Sequence, residues 1–343
     1  MSDLPHRWFD GHLDLAFLEL HGRDMGEADL ERCPGDFRPA AATLPALRKG
    51  GVTHCLATIF TAPDLMSPGG VESPASYGTA DVVEGARRCG IRQLEVYERW
   101  EARGSVRRTA GWADEAKAGG GLNVALLMEG ADPIRDVDDA AWWVERGVRV
   151  VGLAWAKGTR YAGGNANHGP LTAAGRELVG ALNRLGVVLD LSHLSDAGAW
   201  EVLERAEKPP IASHSNCRHL MGGENERHLS DELIRAIAKR GGVIGLNLFS
   251  KFLTMEARRA TMAETLAHID HICMVTGSRE YIALGSDMDG GFAADQLPEG
   301  INEPSDLEQI ALALERDLHW SKAEIDQFRF STWADYFARQ FGK

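Results

Sequence analysis

The residues best suited to chemistry begin at Asp10-Gly11-His12-Leu13-Asp14. An imidazole and a carboxylate two residues apart point to one face of an extended strand and make half a site for a divalent metal. The missing ligands stand at the ends of other apolar runs. Glu129 closes Leu127-Met128-Glu129, His193 closes Asp190-Leu191-Ser192-His193, and His214 lies in Ala212-Ser213-His214-Ser215. Asp287 lies in Gly285-Ser286-Asp287-Met288-Asp289-Gly290. Each has an ordinary explanation alone: a loop carboxylate, a satisfied strand-end histidine, a turn aspartate. Five strand ends carrying such residues by accident is a weaker explanation than one shared site. Three imidazoles suit zinc or a similar borderline cation. Glu129, coming from between the two sets, is the candidate to bridge two ions. Two metals roughly 3.5–4 Å apart can share a hydroxide, polarise a carbonyl and lower the pKa of water toward about 7. A carboxylate beside them can pass the proton to a leaving amine.

Eight apolar runs must position these groups, at 7–15, 52–60, 122–129, 148–155, 187–193, 211–214, 242–248 and 281–287. Nearly all are continuous rather than alternating, the pattern of strands covered on both faces, so a parallel sheet is predicted. Helical spacing of apolar residues falls between them, at 76–100, 136–146, 172–185, 196–206, 230–239 and 262–276. Capping boxes, Ser305 with Glu308 and Ser321 with Glu324, predict two last helices over 306–318 and 322–341. Strands alternating with helices predict an α/β fold, a single (β/α)₈ TIM-type barrel with the site at the C-terminal ends of the strands. An open doubly wound sheet is the competing architecture. One domain over 1–343 is expected, with the helices of 306–341 packed on it. The long loops at 61–75, 156–170, 215–229 and 288–304 follow strands, where barrel enzymes build their sites.

Composition narrows the function. The chain has 343 residues, 44% apolar and 25% charged, an ordinary soluble mix. Its net charge of −13 argues against nucleic acid as the main partner. Cys33, Cys55, Cys89, Cys217 and Cys273 are scattered, odd in number and form no C-x-x-C, so they read as reduced thiols. There is no signal-peptide pattern at the start and no run near the ~18 apolar residues of a membrane span. A cytoplasmic protein without membrane contact is expected. Neither phosphate-binding glycine motif follows a strand.

These motifs, in this order and spacing, resemble the renal or membrane dipeptidase family of metallopeptidases, in the amidohydrolase superfamily. The resemblance runs roughly from Phe9 to Gly290. It is carried by Asp10 to Asp14, Met128-Glu129-Gly130, Leu171-Thr172 through Gly175, Asn183 through Gly186, Asp190 to His193, Ser213-His214-Ser215 and Gly285 to Gly290. It implies a binuclear zinc barrel with two Zn²⁺ per chain that hydrolyses dipeptides by attack of a metal-bound hydroxide. By the family pattern His12 and Asp14 hold one zinc with Asp287 beside it, His193 and His214 hold the other, and Glu129 bridges. Asp287 would also shuttle the proton. An arginine binding the substrate's terminal carboxylate falls on Arg227, or on Arg218 if the insertion near Gly222-Gly223 is placed differently. Homodimers are common in the family, so a homodimer is the partner state to expect.

The substrate-facing part departs from the family. Leu153-Ala154-Trp155 stands where a histidine contacts the scissile carbonyl, and Trp155 donates only through its indole N–H. Oxyanion stabilisation is then left to the metals or to Arg160, Asn165 or His168. Asn247-Leu248-Phe249 lacks the tyrosine hydroxyl of the family's Asn-Phe-Tyr, and Asp132 replaces the histidine of Glu-Gly-Gly-His. Ser331-Thr332-Trp333 replaces a glycine-asparagine pair. Asp10 and Asp190 are candidate partners of the ligands. The expectation is thus a zinc-dependent dipeptidase, with Trp155, Arg227 and Asn247 binding substrate. The alternatives are an amidohydrolase acting on an N-acyl amino acid or a lactam, and a non-catalytic metal-binding barrel.

Overall fold

The computed structural model describes residues 6–108 and 120–342. Its strands are β1 (Trp8–Leu13), β2 (Val52–Phe60), β3 (Met66–Ser67), β4 (Val71–Glu72), β5 (Val106–Arg108), β6 (Leu122–Glu129), β7 (Val148–Gly152), β8 (Val188–Asp190), β9 (Ile244–Leu246) and β10 (Ile282–Leu284). β1, β2, β6, β7 and β8 pair in that order, all parallel, and β5 joins the start of β6. Single parallel bridges continue the row from Asp190 to Ile211 and from Ala212 to Ile244, and β9 pairs in parallel with β10. The chain after β10 returns beside β1, where the Asp287 N–H donates to the His12 carbonyl at 3.2 Å. This is an α/β fold whose parallel strands form a half-barrel.

The second half of the row is sparser than the continuous runs predict. The segment expected as a strand at 211–214 contributes only bridges, and no ladder joins β10 to β1 among the described residues. The cause is visible in the hydrogen bonds. Backbone N–H groups at these strand ends donate to side chains instead of to the next strand: Ser213 to Asp190 Oδ1, Asn247 to Asn216 Oδ1 and Ser286 to Asp10 Oδ1.

The helices are α1 (Leu15–Leu20), α2 (Leu44–Lys49), α3 (Val82–Ala102), α4 (Ala140–Glu145), α5 (Ala173–Arg184), α6 (Asp196–Arg205), α7 (Asp231–Lys239), α8 (Met262–Thr276), α9 (Glu308–Leu318), α10 (Lys322–Asp326) and α11 (Thr332–Phe341). The Ser321–Glu324 capping box forms, whereas the expected Ser305–Glu308 box does not. Asp306 Oδ2 instead takes the N–H groups of Asn302 and Glu303, and a 3₁₀ turn over Pro304–Leu307 precedes α9. The helix predicted over 322–341 is broken by a π turn at Gln327–Ser331.

Strand alternation sorts the core into two clusters. On β6, Val124, Leu126 and Met128 pack outward with Leu94, Trp100 and Trp143. Ala125 and Leu127 pack inward with Phe9, Leu56, Val150, Val188, Ile211 and Ala283. The same inward cluster contains Phe330 and, from α11, Trp333, Tyr336 and Phe337. The last helix therefore fills the apolar interior on the inward faces of the strands. Trp333 reaches furthest: its Nε1 donates to the Leu284 carbonyl at 2.7 Å. A Cβ placed on Gly11 would lie 2.6 Å from its ring.

Candidate metal centre

Glu129 is the last residue of β6 and shares the inward face of Leu127, so the strand that builds the apolar interior also aims a carboxylate above it. Its two oxygens face different neighbours. Oε2 lies 3.6 Å from His12 Nε2, while Oε1 lies 3.2 Å from His193 Nε2 and 3.4 Å from His214 Nε2. All four residues are buried. His12 and Asp14 do not share the strand face that their two-residue spacing predicts. The pairing of β1 shifts register between Asp10 and Leu13, and Asp14 sits past the strand at the start of α1. The turn still brings His12 Nε2 to 3.8 Å from Asp14 Oδ1. Thr58 on β2 donates to that same oxygen. Asp287 Oδ1 is 4.0 Å from His12 Nε2, and Asn247 Nδ2 donates to Asp287 Oδ2 at 2.8 Å.

These atoms fit a cation on chemical grounds. His193 Nδ1 faces the amide oxygen of Asn165 at 3.3 Å, so its proton belongs there and Nε2 presents a lone pair. That lone pair points at His214 Nε2, 3.0 Å away, with Glu129 Oε1 beside both. Glu129 Oε1 and His12 Nε2 are buried with no hydrogen-bond partner. Acceptors gathered without a donor are what a metal ion satisfies. Two groups bring their ligand atoms within 4.8 Å of one another, His12 with Glu129 and His214, and His12 with Asp14 and Asp287.

The electrostatics ask for the same thing. Burial lifts Glu129 well above the usual carboxylate range and lifts Asp287 to about 7, against the attraction of His12. Burial holds His193 and His214 well below the usual imidazole value, with Arg227 and His12 adding to it, so both rings are neutral donors. Burial also pulls on His12, but the charges of Glu129, Asp14 and Asp287 outweigh it and raise it to about 10. The desolvated carboxylates require positive charge beside them. His193 and Asp287 hold their positions at φ 65° and 58°, left-handed backbone that is uncommon outside glycine and clusters at functional sites.

The residues expected to face substrate fall in different places. Arg227 is buried against the site, donating to the His214 carbonyl at 2.9 Å and to Ser215 Oγ at 3.2 Å, with its Nε unpartnered. Arg218 is consumed by both oxygens of Asp196 and by the His228 carbonyl. Trp155 is half-buried, its ring 5.9 Å from that of His193 and 5.2 Å from Phe60. Asn247 is fully buried and holds Asp287 instead of opening toward a ligand. Arg160 is tied to the carbonyls of Asp132 and Ile134, and His168 is an exposed partner of Glu226. Sequence reasoning missed Thr58, whose hydroxyl reaches Asp14 from β2, and Ser213, whose hydroxyl meets His12 and the adjoining His214. It also missed Arg23, which meets Asp289 Oδ2 at 2.5 Å just past Asp287. Hydroxyls and arginines with partners far along the chain leave no local pattern.

Comparison with known proteins places this geometry. The model of the membrane dipeptidases, peptidase family M19, matches residues 5–331. A Klebsiella pneumoniae protein described as an uncharacterized protein in the pqqA 5′ region is 31% identical over 198 residues, 54% of this chain and 70% of that protein. Dipeptidase aclJ of Aspergillus oryzae is 30% identical over 173 residues, 49% of this chain and 40% of its own length. An uncharacterized dipeptidase of Schizosaccharomyces pombe is likewise matched over 48% of its length, so several of these alignments span less than half of the relatives. A crystal structure of a metallo peptidase from Rhodobacter sphaeroides, liganded with a phosphinate mimic of the dipeptide L-Ala-D-Ala, superposes with a TM-score of 0.80 at 26% identity. It covers 97% of this chain and 99% of that one. A structure described as dipeptidase AC, a metallo peptidase of family M19, gives a TM-score of 0.79 at 26% identity, over 98% and 99%.

Proposed function

The chain belongs to the membrane dipeptidase family, peptidase family M19, and from that premise we propose that it is a zinc-dependent dipeptidase acting at the cluster around Glu129. The observation that carries this reading is the divided carboxylate of Glu129, with one oxygen on His12 and the other on His193 and His214. Such a group is suited to bridging two cations. His12, Asp14 and Asp287 would hold one zinc, His193 and His214 the other. When bound, the ions would supply Lewis acidity to the scissile carbonyl and a water acidified toward a pKa of about 7.

The chain's own residues do the rest. Asp287, its Oδ2 held by Asn247, is the base that takes a proton from the attacking water and delivers it to the leaving amine. Arg227 keeps its free Nε for the carboxylate of the second residue, its Nη groups being fixed by His214 and Ser215. Trp155 offers an indole N–H at the rim beside His193. The buried walls exclude water and strengthen each of these contacts. The same reading includes a closed (β/α)₈ barrel, one domain over 1–343 and a homodimer. It also includes a cytoplasmic setting, which the five unpaired cysteines support. No helix among the described residues is long and apolar enough to cross a membrane.

The test is zinc content of the purified protein together with hydrolysis of L-L and L-D dipeptides, L-Ala-D-Ala included. About two zinc per chain with turnover of a dipeptide is expected. No zinc uptake would overturn the reading. A second reading, another small amide such as an N-acyl amino acid or lactam, is favoured by Trp155 at the rim, and zinc without dipeptide turnover would select it.

A further inference from the structure

His12 and His214 face different oxygens of Glu129, and their rings stack with centroids 3.6 Å apart. Their Nε2 edges face Glu129. Their Nδ1 edges meet one atom, the hydroxyl oxygen of Ser213, at 3.3 Å from His12 and 2.8 Å from His214. That oxygen is itself 2.6 Å from Asp190 Oδ2, with Ser192 Oγ more distant at 3.4 Å. Ser213 and Asp190 are buried. The Ser213 backbone is fixed as well, since a Cβ on Gly285 would stand 1.9 Å from its carbonyl oxygen.

A hydroxyl has one proton to donate and two lone pairs to accept with. Asp190 as a carboxylate can only accept, so the Ser213 proton goes to Asp190 Oδ2. The Ser213 oxygen is then left to accept from both imidazoles. The proton that each neutral ring keeps is thereby fixed on Nδ1, which leaves both Nε2 atoms available as lone pairs for a metal that takes over the positive charge His12 otherwise carries beside Glu129, Asp14 and Asp287. We propose that Ser213, oriented by Asp190, is a single positioning residue that sets the tautomer of one histidine in each half of the metal centre. This rests on the reading of the cluster as a two-zinc site.

The other oxygen of Asp190 provides a sharp test. Asp190 Oδ1 accepts from the N–H groups of Ser192 and Ser213, at 3.0 and 2.8 Å. In Asp190→Asn the amide oxygen must stay with those two donors, so the amide NH₂ faces Ser213. The hydroxyl then accepts from the amide and turns its one proton toward one imidazole, the nearer being His214 at 2.8 Å, driving that ring's own proton onto Nε2, where a metal would bind. In Ser213→Ala the rings lose their partner but no proton is forced onto Nε2. Zinc affinity of the full-length protein, measured by competition with a chromophoric chelator, should fall about 10- to 100-fold in Ser213→Ala. It should fall further in Asp190→Asn, although that variant keeps the side chain's size. A purely structural role predicts lower thermal stability of the zinc-free variants with unchanged zinc affinity, or the reverse order of the two variants. Either result overturns the inference while leaving the two-zinc reading intact, whereas a wild-type chain that takes up no zinc overturns both. Should either variant fail to fold, histidine nitrogen NMR of zinc-loaded wild type decides: protons on Nδ1 of His12 and His214 are expected, and their absence from Nδ1 overturns the inference.

Discussion

On the inward faces of the strands, below their carboxyl ends, Phe9, Leu127, Val150 and Ile211 close around Trp333, Tyr336 and Phe337 of the last helix. At the carboxyl ends of the same strands, His12, Asp14, Glu129, His214 and Asp287 stand in one buried group. On β6 the change takes one step of the alternation, from Leu127 to Glu129, about 7 Å along the strand. The apolar end shapes the polar one: a dry floor directly below the ligands denies them water, and burial is the largest cause of the raised Glu129 and Asp287. One end carries stability and, on the proposed function, the other carries chemistry, so each should respond to perturbation separately.

The largest separation should come from Glu129→Gln. Hydrolysis should fall by more than about 100-fold and zinc should be lost, with the unfolding midpoint of the zinc-free protein nearly unchanged; isothermal titration and kinetics read both. Phe337→Ala should do the opposite. It removes a ring stacked on Phe9 and Trp333, costing about 3–5 kcal/mol in denaturant unfolding, while kcat per folded, metal-loaded chain is retained. If kcat falls with stability, the two ends are not independent. Arg227→Met refines the polar end: KM for free dipeptides should rise about 10- to 100-fold, and KM for carboxamide-capped dipeptides should barely move.

The smallest effect concerns His54, which sits among Phe9 and Phe330 at the apolar end. Burial, with Arg7 and Arg107 adding, holds it down at about 3. The unfolded chain binds that proton near pH 6.5. Between the two values only the unfolded state takes up the proton, so the stability gained from the neutral ring is complete above about pH 6.5 and drains away toward pH 3. In urea titrations at pH 8 and pH 5, His54→Phe should lose less midpoint on acidification than the wild type.

Much of this was legible because the chemistry sits where strands stop. The run at 52–60 became β2 and the run at 122–129 became β6 without a shifted boundary. Each polar residue ending such a run lies beside the others in space. The hairpin of β3 and β4 was not legible, since two-residue strands carry no period. The role of Ser213 was hidden for another reason. Its partners lie 23 residues away at Asp190 and 201 away at His12, and a serine before a histidine has no distinctive spacing. The family resemblance puts Asn247 toward substrate, whereas its amide donates to Asp287, a partner 40 residues on that no motif announces. Arg227 and Arg218 were separable only once Asp196 was seen to occupy Arg218.

The position of Trp333 under Gly11 also bears on how the protein is made. A ribosome releases every strand before it releases α11, so at about 5–20 residues per second the apolar interior stays unfilled for several seconds of synthesis. Until that helix docks, the strands lack the apolar floor that Trp333, Tyr336 and Phe337 supply beneath the cluster around Glu129.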